Sequence, residues 1–369
     1  MFIKVAAIII AVCIVGFIIL VRMAKRDMNK VDPQYILSYI NRNKHNKTCS
    51  LVVRKNGETI CSVNEDVVLP LASMVKLIVA VEFAKQSANK VIDPNTYVSL
   101  KELEKYYIKN TDGGAHPNWL QDMKSNHKIQ NDCVSLQNVA KGMLQYSSNA
   151  NTAYLMNILG LENINRNIKE LQLNQHEELY PFVAALYIPS VLEEQQKLNK
   201  KELLQKLKEM SQEEYRQYAL DINKAMENEL ELPPLTHLSL DIQKNWSDRF
   251  TSASALDYIS LLEKINSKNY FDESIHKQLD HILETIMENE RNQKWLLHAG
   301  QKGGSTAFVL TNGLYATDKE GNTFEVVFMA NELDGINSLK LRNNLNQFNL
   351  QVLTNEDFRK GVLHRLSTT

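Results

Sequence analysis

The chain has 369 residues, of which 44% are apolar and 23% charged, an ordinary globular balance that excludes disordered and fibrous classes. Its 42 basic and 43 acidic residues leave a net charge of −1, so nothing in the charge balance points to nucleic acid as a partner. Among 13 glycines there is neither a G-x-G-x-x-G nor a G-x-x-x-x-G-K-[ST] arrangement, and dinucleotide and P-loop chemistry lack support.

Val5 to Val21 is a run of 17 uncharged, mostly aliphatic residues between Lys4 and Arg22, the short end of what spans a bilayer. No small-residue cleavage site follows it, since the next residues are Arg22-Met23-Ala24-Lys25-Arg26. Residues 1–30 therefore read as an uncleaved membrane anchor with a basic flank, and residues 31–369 as the globular part. The basic residues after the run outnumber those before it, which by itself would keep the bulk of the chain in the cytoplasm. The motifs described below point to the outside of the cell membrane, and that is the expected location of the domain.

In chain order, Asp32-Pro33 predicts a helix start, and Asn56-Gly57 a type I′ hairpin within residues 49–63. That turn pairs Lys55 with Glu58 and, continued without a break, Val52 with Cys61. Cys49 and Cys61 then face opposite sides of the sheet, which argues against a disulfide between them. A strongly apolar helix is predicted from about Ser73 to Gln86. The polar stretch containing Gly113-Gly114 and Pro117 reads as a loop, followed by helix from Ser135 to Leu159 with a break near Tyr146-Ser147-Ser148-Asn149. Residues 191–230, rich in Glu, Gln, Lys and Leu, predict one or two solvent-exposed helices ended by Pro233-Pro234. Another helix follows Thr251-Ser252. Residues 305–316 and 323–330 predict two strands, and residues 338–366 are largely helical. Strands at both ends around a helical middle make this an α+β fold, its antiparallel sheet assembled from N- and C-terminal segments.

Three short motifs carry the chemistry: Ser73-Met74-Val75-Lys76, Ser147-Ser148-Asn149 and Lys302-Gly303-Gly304. Other S-x-x-K and S-x-N matches exist, at Ser87/Lys90 and Ser62/Asn64 for example, but only Ser73 opens an apolar helix. Taken singly, each motif reads as a helix cap, a surface lysine or a turn; their order and flanks make the combination specific. At i and i+3, Ser73 and Lys76 lie one above the other on a helix face. A serine hydroxyl needs a base to become a nucleophile. A lysine can be that base once burial and a neighbouring positive charge lower its pKa, and Lys302 is the candidate for that charge. The helix N-terminus adds free backbone N–H groups to stabilise an oxyanion.

The three motifs resemble those of the penicillin-recognising serine enzymes, especially class A β-lactamases and the related D,D-peptidases. Gln145-Tyr146-Ser147-Ser148-Asn149 with Thr152-Ala153 is similar to the family's second motif, and Lys302-Gly303-Gly304-Ser305 followed by strand and helix is similar to its third. The resemblance covers residues 33–190 and 246–369 and leaves about 191–245 as a helical insertion. It implies a β-lactamase-like fold with no cofactor, acting on β-lactams or D-Ala-D-Ala-type peptides of the cell wall; the scattered histidines predict no metal. Ser73 would be acylated, Lys76 would be its general base, and Ser147 would relay protons to the leaving group. Asn149 would bind the substrate amide, with Lys302, Gly304 and Ser305 completing the substrate site and the Ser73 and Ser305 N–H groups forming the oxyanion hole.

The sequence departs from that pattern in three places. Gly303 stands where the family usually has Thr or Ser. No arginine occurs between Lys302 and Arg342, so a guanidinium at the carboxylate end is absent or comes from elsewhere. The deacylating glutamate has no evident counterpart near Leu179-Tyr180-Pro181, Glu177 and Glu178 being the nearest candidates. Loss of a positioned base for water predicts slow deacylation, because base assistance contributes about 10²–10⁴-fold. A penicillin-binding sensor that stays acylated, or a pseudoenzyme, is the alternative. His176-Glu177-x-x-Tyr180 lacks the second histidine of a zinc protease helix, and His276 and His281 are badly spaced for a metal.

Overall fold

A computed structural model of the chain describes residues 30–235 and 239–367. The anchor predicted at 5–21 lies outside the described residues, among which no helix is long and apolar enough to cross a membrane. The elements that position the site are, in order, α1 (Gln34–Asn43), β1 (Cys49–Lys55), β2 (Glu58–Val63), α2 (Lys76–Ala88), α3 (Ala115–Ser125), α4 (Leu136–Gln145), α5 (Asn149–Leu159), α6 (Lys200–Glu209), α7 (Gln212–Glu227), α8 (Leu240–Asp248), α9 (Ala255–Asn266), β3 (Leu296–Ser305), β4 (Leu310–Asp318), β5 (Thr323–Ala330), α10 (Gly335–Thr354) and α11 (Glu356–Ser367).

The five strands form one antiparallel sheet in the order β2-β1-β5-β4-β3, so the N-terminal hairpin completes a sheet begun by the C-terminal strands. Alternation sends successive side chains to opposite faces. Leu51, Val53, Val326 and Phe328 pack on the terminal helices with Ile36, Leu341 and Phe348, whereas Val52, Val327 and Met329 face the helical middle of the chain. The expected α+β architecture, with a sheet of terminal segments against a helical middle, is the one observed.

Several local expectations need correction. Asn56 and Gly57 both adopt positive φ, as a type I′ turn requires, and Lys55 pairs with Glu58, but a bulge between Val53 and Arg54 shifts the register beyond it. Val52 therefore pairs with Ser62, and Cys61 with Val53. Cys49 and Cys61 consequently share a face. They remain free thiols, because Val53 lies four residues along β1 from Cys49, about 13 Å at strand rise. Burial pushes both thiols up to about 12.

The Gly113–Pro117 stretch is not all loop: helix α3 starts at Ala115. Gly114 supplies the left-handed residue before it, and Pro117 falls in the first turn, where its missing N–H costs nothing. The strand expected from Ser305 is broken, since β3 ends there and β4 begins at Leu310 across a turn closed by Thr306 N–H to Val309 O at 3.0 Å. Residues 191–230 form the end of a helix Ile188–Gln196 and then α6 and α7. They are not solvated all round: Leu203, Leu207, Tyr215, Ala219, Ile222 and Met226 are buried in the same core as α2 and α5. Leu203→Ala is expected to cost about 2–5 kcal/mol in equilibrium urea unfolding; a loss below about 0.5 kcal/mol would mean that these helices form a detached lobe.

Candidate functional site

Ser73 sits in a single 3₁₀ turn, Ala72–Val75, that runs straight into α2. Ala72, beside it, has φ of 46°, a left-handed conformation that a side-chain-bearing residue rarely adopts. Lys76 opens α2 among Leu77, Ile78 and Val79, and its side chain is completely buried. Three residues thus take the chain from an exposed-side nucleophile candidate to a buried amine.

The second motif occupies the joint between α4 and α5. Ser148 caps α5 by accepting the Asn151 N–H, and the buried His116 ring meets its hydroxyl at 2.9 Å. Ser147 is left in the joint with φ of 68°. That left-handed turn aims both its carbonyl and its hydroxyl at Lys76, which donates to Ser147 O at 2.8 Å, to Asn149 Oδ1 at 2.9 Å and approaches Ser147 Oγ at 3.2 Å. Lys302, on β3 and only 3% exposed, reaches the same hydroxyl from the other side at 3.1 Å and donates to Gly303 O at 2.7 Å. Ser73 lines the cleft beside this group without being one of the three partners of the Lys76 amine.

Electrostatics follow from that packing. Burial first, and then the Lys302 charge, hold the Lys76 amine well below the ordinary lysine range, against a smaller opposing pull from Asp112. Burial brings Lys302 down to about 7. A neutral amine has two N–H donors and one lone pair. Ser147 O and Asn149 Oδ1 can only accept, so they take the two N–H groups, and the lone pair is left for a proton from a serine hydroxyl.

Gly304 brings the sheet against the Ser73 turn. A Cβ there would lie 2.6 Å from Leu71 O, Ser73 N and Thr311 Oγ1, while one at Gly303 would meet nothing nearer than Thr311 O at 3.6 Å. Thr311 Oγ1 donates to Leu71 O at 2.7 Å and ties strand to turn directly. Ser305 ends β3 at the cleft.

The guanidinium missing from the strands comes from Arg342 on α10, which donates to Ser305 Oγ and Thr306 O, both at 2.9 Å. No local pattern announces it, because the contact spans 37 residues. The other unforeseen wall is Gln243 and Trp246 of α8 with Phe250. It is fixed by Trp246 Nε1 to Phe182 O at 3.1 Å and by a 2.6 Å contact between the Ser247 and Thr306 hydroxyls. The whole forms a cleft of about 660 Å³ between the sheet and the helices. Neither Glu177 nor Glu178 lines it. Glu177 is paired with Arg216 at 3.2 Å and accepts the Ser252 N–H, and the Glu178 carbonyl accepts from Thr251. His176 is a core histidine stacked on Tyr258, and His276 Nε2 accepts the Phe271 N–H.

The geometry separates the two glycines of the third motif. Gly304→Ala should cost about 1–3 kcal/mol by forcing strand and turn apart, and Gly303→Ala less than about 1 kcal/mol, both read from denaturant unfolding. Equal costs would contradict the close approach at Gly304.

A model described as the beta-lactamase enzyme family matches residues 34–321. A search of curated proteins finds no match. Among solved structures, TLA-3 extended-spectrum beta-lactamase is similar at 11% identity and a TM-score of 0.51, covering 87% of this chain and 100% of that one. A beta-lactamase from Chitinophaga pinensis is similar at 12% identity and a TM-score of 0.50, covering 85% and 98%. PBP-A in an acyl-enzyme complex with penicillin G aligns at 14% identity and a TM-score of 0.49, covering 86% and 95%.

Proposed function

The chain belongs to the beta-lactamase enzyme family, and on that footing we propose that it is a serine acyl-transfer enzyme acylated on Ser73 by β-lactams or D-Ala-D-Ala-type peptides. One observation carries the reading: two buried lysines converge on Ser147 beside Ser73 at the floor of the cleft. The Ser73 hydroxyl attacks the substrate carbonyl carbon and gives its proton to the neutral Lys76 amine. The N–H groups of Ser73 and Ser305 hold the resulting oxyanion. As the C–N bond of the amide breaks, Ser147 passes its proton to the departing nitrogen and is reprotonated from Lys76, leaving an ester on Ser73. Asn149 binds the substrate amide. Lys302 and Arg342 attract a substrate carboxylate, a task in which Arg342 makes up for the hydroxyl that Gly303 lacks.

Water has no evident base. Glu177 is committed to Arg216 and Ser252, and Asp112 is the one carboxylate among the described residues lining the cleft. Slow hydrolysis of the acyl-enzyme follows, which favours a peptidase or a penicillin-trapping protein over an efficient β-lactamase. The same reading holds the enzyme at the membrane through residues 5–21, with its cleft outside the cell, where such substrates are found.

A fluorescent penicillin should label the wild-type protein and not Ser73→Ala, and the label should survive a chase with unlabelled penicillin for many minutes. Labelling that ignores Ser73→Ala, or none on protein shown to be folded, would end the assignment of Ser73. Loss of the label within seconds would end that of slow deacylation.

A further inference from the structure

The cleft has two chemically different walls. The sheet wall is cationic, with Lys302 behind it and Arg342 at the end of β3. On the helical wall, with Ser147 and Asn149, stands Asp112, the one carboxylate among the described lining residues. Its orientation is fixed before any ligand arrives: Oδ1 accepts the Gly114 N–H at 3.1 Å and Oδ2 the His116 N–H at 2.9 Å. His116 is itself fully buried and held to Ser148, so the carboxylate is tied through one short segment to the turn that carries Ser147. Each oxygen keeps a second lone pair. Among the described residues no cation stands within ion-pair distance of Asp112, and its charge is felt at Lys76.

A half-buried, preorientated carboxylate lining the same cleft as Ser147 and Asn149 can receive a donor. We propose that Asp112 makes the cleft selective for acyl donors whose side chain carries an ammonium group. The inference rests on the reading of Ser73 as the acylated nucleophile. A substrate that fits both walls is dipolar, its carboxylate toward Arg342 and its cation toward Asp112. Helix α8 closes the cleft on its third side with Gln243 and Trp246, and it adds no competing charge there. A fixed carboxylate meeting an ammonium makes a charge-assisted hydrogen bond, which is stronger than a neutral one.

Two penicillins that differ by one ammonium group test this. Rates of Ser73 acylation are compared for aminobenzylpenicillin and benzylpenicillin, at a pH where the amine is protonated. In the full-length wild-type protein the ratio should favour the amine by about tenfold or more, and in Asp112→Asn it should fall to about one. Asp112→Lys should bring the ratio below one and favour carboxybenzylpenicillin instead, a reversal that damaged folding does not produce. A ratio unchanged by Asp112→Asn, or a parallel loss of both rates, would overturn the proposal and leave Asp112 as a support for the turn. Acylation of the wild type by neither penicillin would overturn the Ser73 reading, and this one with it.

Discussion

Two lysine amines, both removed from water, meet at the hydroxyl of one serine, and that arrangement sets the terms for everything around it. Burying even one uncompensated ammonium costs several kcal/mol, and two within reach of one hydroxyl repel each other as well. The molecule relieves the cost at Lys76, whose amine is held well below its ordinary range, while Lys302, brought down to about 7 by burial, is the charge beside it. What is left of the polarity is satisfied by acceptors on the chain itself, namely Ser147 O, Asn149 Oδ1 and Gly303 O. An amine kept neutral in this way is a base, so the packing and the proposed chemistry are the same fact. Backbone strain contributes too. Ala72 and Ser147 both sit in the left-handed region, at about 1–3 kcal/mol each, Ala72 adjoining Ser73 and Ser147 meeting both lysines.

The sheet and the helical layer meet only if they can come close at the cleft floor. Gly304 makes this possible by bringing the strand within backbone contact of the Ser73 turn, and Thr311 clamps the two together. At the outer end, Ser247 and Thr306 join α8 to the sheet while Arg342 reaches across from α10. The helices Ile188–Gln196, α6, α7 and α8 belong to the same core as α2, and α8 forms a wall of the site. This explains how the cleft stays enclosed while the glutamates near residue 177 are turned away from it.

Much of this was legible in the sequence because the decisive signals are local. Ser73 and Lys76 lie three residues apart where a 3₁₀ turn runs into α2, Ser147 and Asn149 share one turn, and the Asn56-Gly57 turn sets its own φ values. Their convergence rested on a resemblance in motif order, not on any periodicity. The misses have physical causes as well. The bulge puts an extra residue, Ile60 of β2, opposite the Val53–Arg54 step of β1, and the turn residues do not announce it. Strand β3 was hidden because its glycines give no strand pattern. Gly300, for one, is required by the Tyr315 ring, whose atoms would lie 2.6 Å from a Cβ. Helix α3 was masked by Gly113, Gly114 and Pro117, which together form a helix start. Arg342 and Trp246 reach the cleft through tertiary packing that no short window contains. The alternating Glu and Lys of α6 and α7 hid the single apolar stripe that buries them.

The proposed chemistry requires Lys76 to be a neutral amine, held so by burial beside Lys302. Titration of the Lys76 side chain by NMR, with ¹³Cε-labelled lysine and the resonance assigned from Lys76→Arg, tests it directly. The midpoint should lie far below the ordinary lysine value of 10.5 and move upward in Lys302→Met as the neighbouring charge is removed. A midpoint in the ordinary lysine range, or one indifferent to Lys302, would contradict it.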